Sequence, residues 1–394
     1  MEQIFLYAKG KRYSYHELNN ASIALMQKLP PGSNRKVVVL ASQPELYYLA
    51  FYFCFTYDYI FCPVNATDSL SLIEEKLSII NPGVIITNEQ KIISQWREKD
   101  QVYEPVQLPS FGHCFLCFGE KEYPDNYDTE DLRYILFTAG VNGAPKGVPV
   151  TNTNIAAFTD NLQELFEVEE TAVIANTFDF SFDLSILTML LAWNNRAAVA
   201  HIDTEEPHNA FADCSILCLM PSMMRDMQQK LLLHRFSPSN IKHILFCGEP
   251  LLLTDFYLAQ KYFPKASIYN CYGPTELTIY CAACKLQYPV PTSNGIICIG
   301  QLNIGSKAYI SNATILSNHH EEGELCLTGE QLFRGYINVP NSERFFEFNG
   351  ERYYKTGDKV IYNREEDLYY YAGNIDREIT YYSHQRIWKS GRRR

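Results

Sequence analysis

Tyr134-Ile-Leu-Phe-Thr-Ala-Gly-Val-Asn-Gly-Ala-Pro-Lys-Gly-Val-Pro-Val-Thr151 passes from an apolar run into a glycine-rich loop. Residues 134–137 read as a short buried strand. The chain then breaks at Gly140, Gly143, Pro145 and Gly147, with Thr138 before the break and Lys146 inside it. Glycines let backbone N–H groups converge on an anion, and one lysine adds a mobile positive charge. No Gly-Lys-Ser/Thr opens a helix after the loop, so it is not a Walker A loop. Alone, the stretch also fits a glycine-rich turn between two strands.

Outward from the loop, strands alternate with helical stretches. Ser14 is placed to cap a helix running to residue 29, and residues 36–41 read as a valine-rich strand. The Tyr- and Phe-rich run 46–64 is the nearest thing to a membrane segment. Asp58 and several tyrosines inside it favour a buried helix followed by a strand. Further strands are expected at 84–87, 172–176, 213–220 and 241–246, with helices at 152–166 and 184–193. This alternation predicts an α/β fold with parallel sheets and helices on both faces. From about residue 295 the pattern changes to short strands and turns with no long helix, which predicts a β-rich unit.

A chain of 394 residues is too long for one ordinary core, and 46% hydrophobic and 14% aromatic content supplies a large interior. The net charge of −11 argues against a nucleic-acid groove and against an anionic membrane surface. The basic end, residues 389–394, reads as a solvated tail. No signal peptide is expected, because the first residues are acidic and 9–12 interrupt the apolar ones, so the expected compartment is the cytoplasm. Twelve cysteines include the pairs Cys114/Cys117 and Cys281/Cys284. Both pairs lie in apolar stretches without histidines at finger-like spacing, so buried free thiols are expected over zinc.

Four further motifs follow the loop in order: Phe182-Asp-Leu-Ser185; Asn270-Cys-Tyr-Gly-Pro-Thr-Glu276; Gly323-Glu-Leu-Cys-Leu-Thr-Gly329 with Arg334-Gly-Tyr336; and Tyr354-Lys-Thr-Gly-Asp358. The series resembles the adenylate-forming superfamily, most closely amino-acid adenylation domains of nonribosomal peptide synthetases and D-alanine–carrier-protein ligases. The resemblance implies two mixed or parallel sheets flanked by helices in a five-layered core, plus a small distorted β-barrel. Expected boundaries are 1–294 for the two α/β subdomains, 295–372 for the β-rich subdomain, and 373–394 for a hinge and the start of a C-terminal domain.

The same resemblance implies ATP and Mg²⁺, with an amino acid joined to AMP and passed to a phosphopantetheinyl carrier protein. Thr138, Gly140, Gly143 and Lys146 would face the phosphates. Tyr272 would pack on adenine beside Gly248, Glu249, Asn270 and Gly273. Thr275 would face phosphate, Glu276 would hold the metal, and Asp358 would accept the ribose hydroxyls. Lys146, Thr275 and Glu276 would form the catalytic group. Asp183 would pair with the substrate's α-ammonium, although its place before a helix also fits an N-cap. The side-chain pocket would take Leu184, Leu187, Leu219, Leu245, Cys247, Cys271, Ile279 and Tyr280, an uncharged lining suited to a small or aliphatic amino acid.

Three departures stand against this pattern. Ala139, Val141 and Asn142 replace the family's loop hydroxyls, each a charge-assisted contact of about 1.5–3 kcal/mol. The hinge motif reads Gly373-Asn-Ile-Asp376, with neutral Asn374 at the usual arginine. The sequence given stops at Arg394, before the family's small lid domain, which fits an excised core, a lid supplied from elsewhere or a lost reaction. Two rival expectations follow: a degenerate homologue that binds nucleotide or a partner without turnover, and an acyl or aryl acid–coenzyme A ligase.

Overall fold

The computed structural model describes residues 2–31, 34–98, 103–118, 129–139, 143–203, 212–340 and 343–375. Two mixed sheets form its body. In the nine-stranded sheet, six parallel strands run Ser267–Tyr272, His243–Phe246, Ile216–Leu219, Val173–Asn176, Ala198–His201 and Ile4–Ala8 in spatial order. Antiparallel strands close its two edges: Ala282–Lys285 and Gln301–Leu302 at one, Lys11–Ser14 at the other. The seven-stranded sheet carries parallel Val84–Thr87, Lys36–Leu40, Ile60–Pro63 and Leu132–Ala139, flanked by antiparallel neighbours. Their central strands are buried on both faces, as the unbroken apolar runs require.

Two helices explain how the sheets join. Pro44–Tyr57 is apolar all round and buried from Pro44 to Cys54, and it touches strands of both sheets. Tyr47 donates to the Val64 carbonyl at 2.7 Å, while Tyr48 accepts from Asn176 at 2.8 Å. Asp183–Asn195 is buried from Asp183 to Ala192 and meets the first helix through Tyr52 and Trp193, ring centroids 5.3 Å apart. Each of Phe51, Phe53 and Phe61 adds about 1.5–3 kcal/mol by complete burial. The segment that most resembled a membrane span is therefore a core helix and a strand. Among the described residues no helix is long and apolar enough to cross a membrane.

The β-rich part is a five-stranded antiparallel sheet of Ser306–Ile315, His320–Gly329, Glu351–Asn363, Phe345–Phe348 and Leu368–Asn374. The long strand Glu351–Asn363 pairs with Phe345–Phe348 over its first residues and with Leu368–Asn374 over its last. Among the described residues no strand pairing closes this sheet into a barrel. Ser14 does cap its helix, Tyr15–Met26, through a capping box with Glu17. All twelve cysteines are free, and eleven of them are buried. Cys284 lies against Cys298, sulfurs 3.5 Å apart.

Candidate active site

The glycine-rich stretch folds as a hairpin. Leu132–Ala139 pairs with Pro145–Thr151, which sets Thr138 directly across from Lys146. Gly140, Val141 and Asn142 lie outside the described residues, as do 376–394 of the hinge and tail. Gly143 has φ +82°, a left-handed conformation open to glycine without strain. Asn338 staples the hairpin from behind: its amide donates to the Pro145 carbonyl at 2.8 Å and its oxygen accepts from Gly147 N–H at 3.0 Å.

The carboxyl ends of the parallel strands in the nine-stranded sheet carry the next group of residues. Strand order reverses at Val173–Asn176, the position where α/β sheets characteristically bind ligands. The helix Asp183–Asn195 begins one turn after that strand and places Asp183 at the reversal. Its cap residue is Phe182, so Asp183 is the first helical residue and not the cap. Its carboxylate accepts from the Thr275 hydroxyl and from backbone N–H groups at the helix start. Burial nevertheless dominates and pushes its pKa up to about 7, with the neighbouring Glu276 charge adding to the rise. Among the described residues Asp183 forms no ion pair.

Glu276 is 5% exposed and stands in a short 3₁₀ turn, Thr275–Leu277. Tyr336 donates to it at 2.6 Å and Thr138 reaches the same oxygen at 3.5 Å. Tyr354 lies 3.1 Å from the Tyr336 hydroxyl, and Lys146 rests on Tyr336, 3.3 Å from its oxygen and 4.5 Å from its ring centre. Burial, then the Glu276 charge, raises the Tyr336 pKa, so that hydroxyl remains a donor. Thus Thr138, Lys146, Glu276, Tyr336 and Tyr354, drawn from four separate motifs, share one polar cluster. Tyr336 and Tyr354 stand in the ordered motifs, but nothing in their spacing marks them as partners of Glu276.

On the other flank, Tyr272 donates to Asp358 at 2.7 Å and Asn374 donates to the second carboxylate oxygen at 2.8 Å. The residue replacing the hinge arginine therefore holds the expected ribose acceptor. Gly248 has φ +86°, and Gly273 is packed so tightly that a Cβ would come 2.5 Å from Tyr280 Cα. Two expected nucleotide contacts are committed elsewhere. Glu249 accepts from the Ser222 N–H and hydroxyl at the start of helix Pro221–Gln229, and Asn270 donates to the Cys298 carbonyl at 2.8 Å. Leu184, Leu187, Leu219, Leu245, Cys247, Cys271, Ile279 and Tyr280 are all buried at 5% exposure or less.

A family model described as AMP-binding enzyme matches residues 1–337. The chain belongs to the AMP-binding enzyme family. A D-alanine--D-alanyl carrier protein ligase of Bacillus cytotoxicus is 30% identical over 392 residues, spanning 94% of this chain and 75% of that one. The Vibrio cholerae adenylation domain AlmE, solved with glycyl-adenosine-5'-phosphate, superposes with a TM-score of 0.77 at 20% identity, covering 94% and 76% of the two chains. The Klebsiella oxytoca NpsA N-terminal subdomain, solved with 3-hydroxybenzoyl-AMSN, gives 0.71 at 18% identity over 95% and 96%. These structures share the fold.

Proposed function

We propose that this AMP-binding enzyme activates a small amino acid as its adenylate. One oxygen of the amino-acid carboxylate attacks the α-phosphorus of ATP, the bond to the leaving oxygen breaks, and pyrophosphate departs. A buried Asp183 at the strand reversal, without a counter-charge and beside a second buried carboxylate, carries the reading. An α-ammonium there would supply the missing positive charge and return Asp183 to its ionised form. A fatty or aryl acid has no group to do so.

Tyr272, fixed by its bond to Asp358, offers a ring face to adenine, and Asp358 keeps lone pairs for ribose hydroxyls. Lys146, on the hairpin and against Tyr336, would meet the phosphates. Glu276 with Thr275 would hold Mg²⁺, which would supply charge neutralisation on the triphosphate when bound. The onward acceptor, by likeness to the carrier protein ligases, is a phosphopantetheinyl carrier protein.

Ala139 among the loop positions favours a second reading, a homologue that binds without turnover. Calorimetric titration with Mg-ATP, alone and then with alanine, tests both. Binding lost in Glu276→Ala and Asp358→Ala is expected. Absence of heat at millimolar Mg-ATP from folded protein would overturn the enzyme reading.

A further inference from the structure

Every cysteine of the chain but one is buried, and the exception has a partner. Cys284, on the edge strand Ala282–Lys285, is partly exposed, and its sulfur lies 3.5 Å from that of buried Cys298. The partner is not Cys281, the other half of the Cys-x-x-Cys sequence. Three residues apart along extended chain, those two side chains leave on opposite faces. Cys298 lies 14 residues on, after the short antiparallel pair Thr292–Ser293 and Ile296–Ile297.

Backbone contacts hold both residues of the pair. Cys284 stands directly across the ladder from Asn270, whose amide donates to the Cys298 carbonyl at 2.8 Å. The Cys298 N–H donates to the Pro291 carbonyl at 3.0 Å. Gly300, with φ +91°, passes so close to the edge strand that a Cβ would come 2.1 Å from the Ala283 carbonyl oxygen. Between them, the Ile299 N–H donates to the Tyr369 carbonyl at 2.8 Å, and the Tyr369 N–H donates to the Gly300 carbonyl at 3.2 Å. Those two bonds join this segment to Leu368–Asn374 of the five-stranded sheet, the strand whose last residue holds Asp358.

The two thiols are unlike. The Cys298 S–H donates to the Cys284 sulfur, and that bond favours the thiolate at Cys284 while keeping the proton on Cys298. Burial pushes the thiols of the other Cys-x-x-Cys, Cys114 and Cys117, up to about 12. An accessible thiol favoured as thiolate, with a second sulfur in contact, is the arrangement of an oxidisable cysteine and its resolving partner.

We propose that Cys284 and Cys298 form a reversible oxidation site for a peroxide, independent of which acid the enzyme activates. The Cys284 thiolate attacks one peroxide oxygen, the O–O bond breaks, and the departing hydroxide takes the proton that Cys284 released, giving water and a sulfenic acid. The Cys298 sulfur then attacks the Cys284 sulfur. An S–S bond replaces the S–O bond, and the hydroxyl leaves with the Cys298 proton as a second water. Two thiols are oxidised and one peroxide is reduced, and a dithiol reverses the change by exchange. The disulfide ties the edge strand to the segment bonded to Tyr369, and so fastens the nine-stranded sheet to the strand carrying Asn374.

The test exposes the full, folded and reduced chain to a small molar excess of hydrogen peroxide. Intact mass, peptide mapping and amide hydrogen exchange are then measured. We expect the loss of two hydrogens, a cross-linked peptide pair containing Cys284 and Cys298, and return of the starting mass with dithiothreitol. Exchange at the Ile299 and Tyr369 amides should slow by about tenfold. Cys298→Ala should stop at a sulfenic acid on Cys284 that dimedone traps, and Cys284→Ser should give no cross-link. Peroxide that leaves Cys284 as a free thiol, or that oxidises other cysteines first, overturns the proposal on the unaltered chain. A cross-link with unchanged exchange at both amides overturns the fastening of the two sheets.

Discussion

Replacing Asp183 with asparagine removes one proton site and leaves the shape of the pocket. Folding moves that carboxyl from 3.8 to about 7, burial being the main cause. Once ionised it weakens the folded state by about 4 kcal/mol, taking about 1.4 kcal/mol for each tenfold change in proton affinity. The sign is fixed by which state holds the proton more tightly. Here it is the folded one, so stability without ligand falls as pH rises from about 4 to about 7 and is level above. Asp183→Asn should lack this decline and be more stable than the unaltered chain at pH 8, by up to the same amount. The variant should also lose the substrate amine. Stranding one member of a buried charge pair costs about 3–5 kcal/mol, a loss of at least a hundredfold in affinity. Urea unfolding at several pH values, with calorimetric titration of an alanyl-sulfamoyl adenosine, reads both effects. An unchanged pH slope together with a less than fivefold loss of affinity would refute the reasoning.

Three further outcomes are expected. Asn374→Ala should weaken Mg-ATP by about ten- to a hundredfold, the worth of one charge-assisted bond to Asp358, and direct titration measures it. Gln331→Leu strands the carbonyls of Leu277 and Tyr280 and should destabilise the chain by about 2–5 kcal/mol in urea melts. Gly273→Ala drives a methyl into the Tyr280 backbone, costing about 1–3 kcal/mol and loosening nucleotide and amino-acid sites together. Thermal unfolding and titration with the same analogue check that coupling.

Residues whose roles depend on local pattern were readable from sequence. The valine-rich strand, the Ser14 cap and the helix-plus-strand at 46–64 all follow from periodicity and capping chemistry, and the structure has them at Lys36–Leu40, Tyr15–Met26, Pro44–Tyr57 and Ile60–Pro63. The ordered motifs likewise brought Thr138, Lys146 and Glu276 to one place. What sequence could not show were partnerships made across long separations. Asn374 reads as a lost arginine until its amide is seen on Asp358. Glu249 and Asn270 sit beside nucleotide motifs, yet their side chains turn to Ser222 and Cys298. Gln331 lies in no motif and clamps a loop fifty residues away in sequence. A hydrogen-bond partner so distant leaves no periodic trace in composition or spacing.

The most direct test of amine recognition at Asp183 is a calorimetric comparison of alanyl- and propionyl-sulfamoyl adenosine, two ligands differing only in the α-ammonium. We expect the alanyl compound to bind at least a hundredfold more tightly, because without the amine Asp183 must either take up a proton or stay charged and unpaired. Equal affinities, or tighter binding of the propionyl compound, would contradict amino-acid activation and favour a simple acyl acid as the substrate.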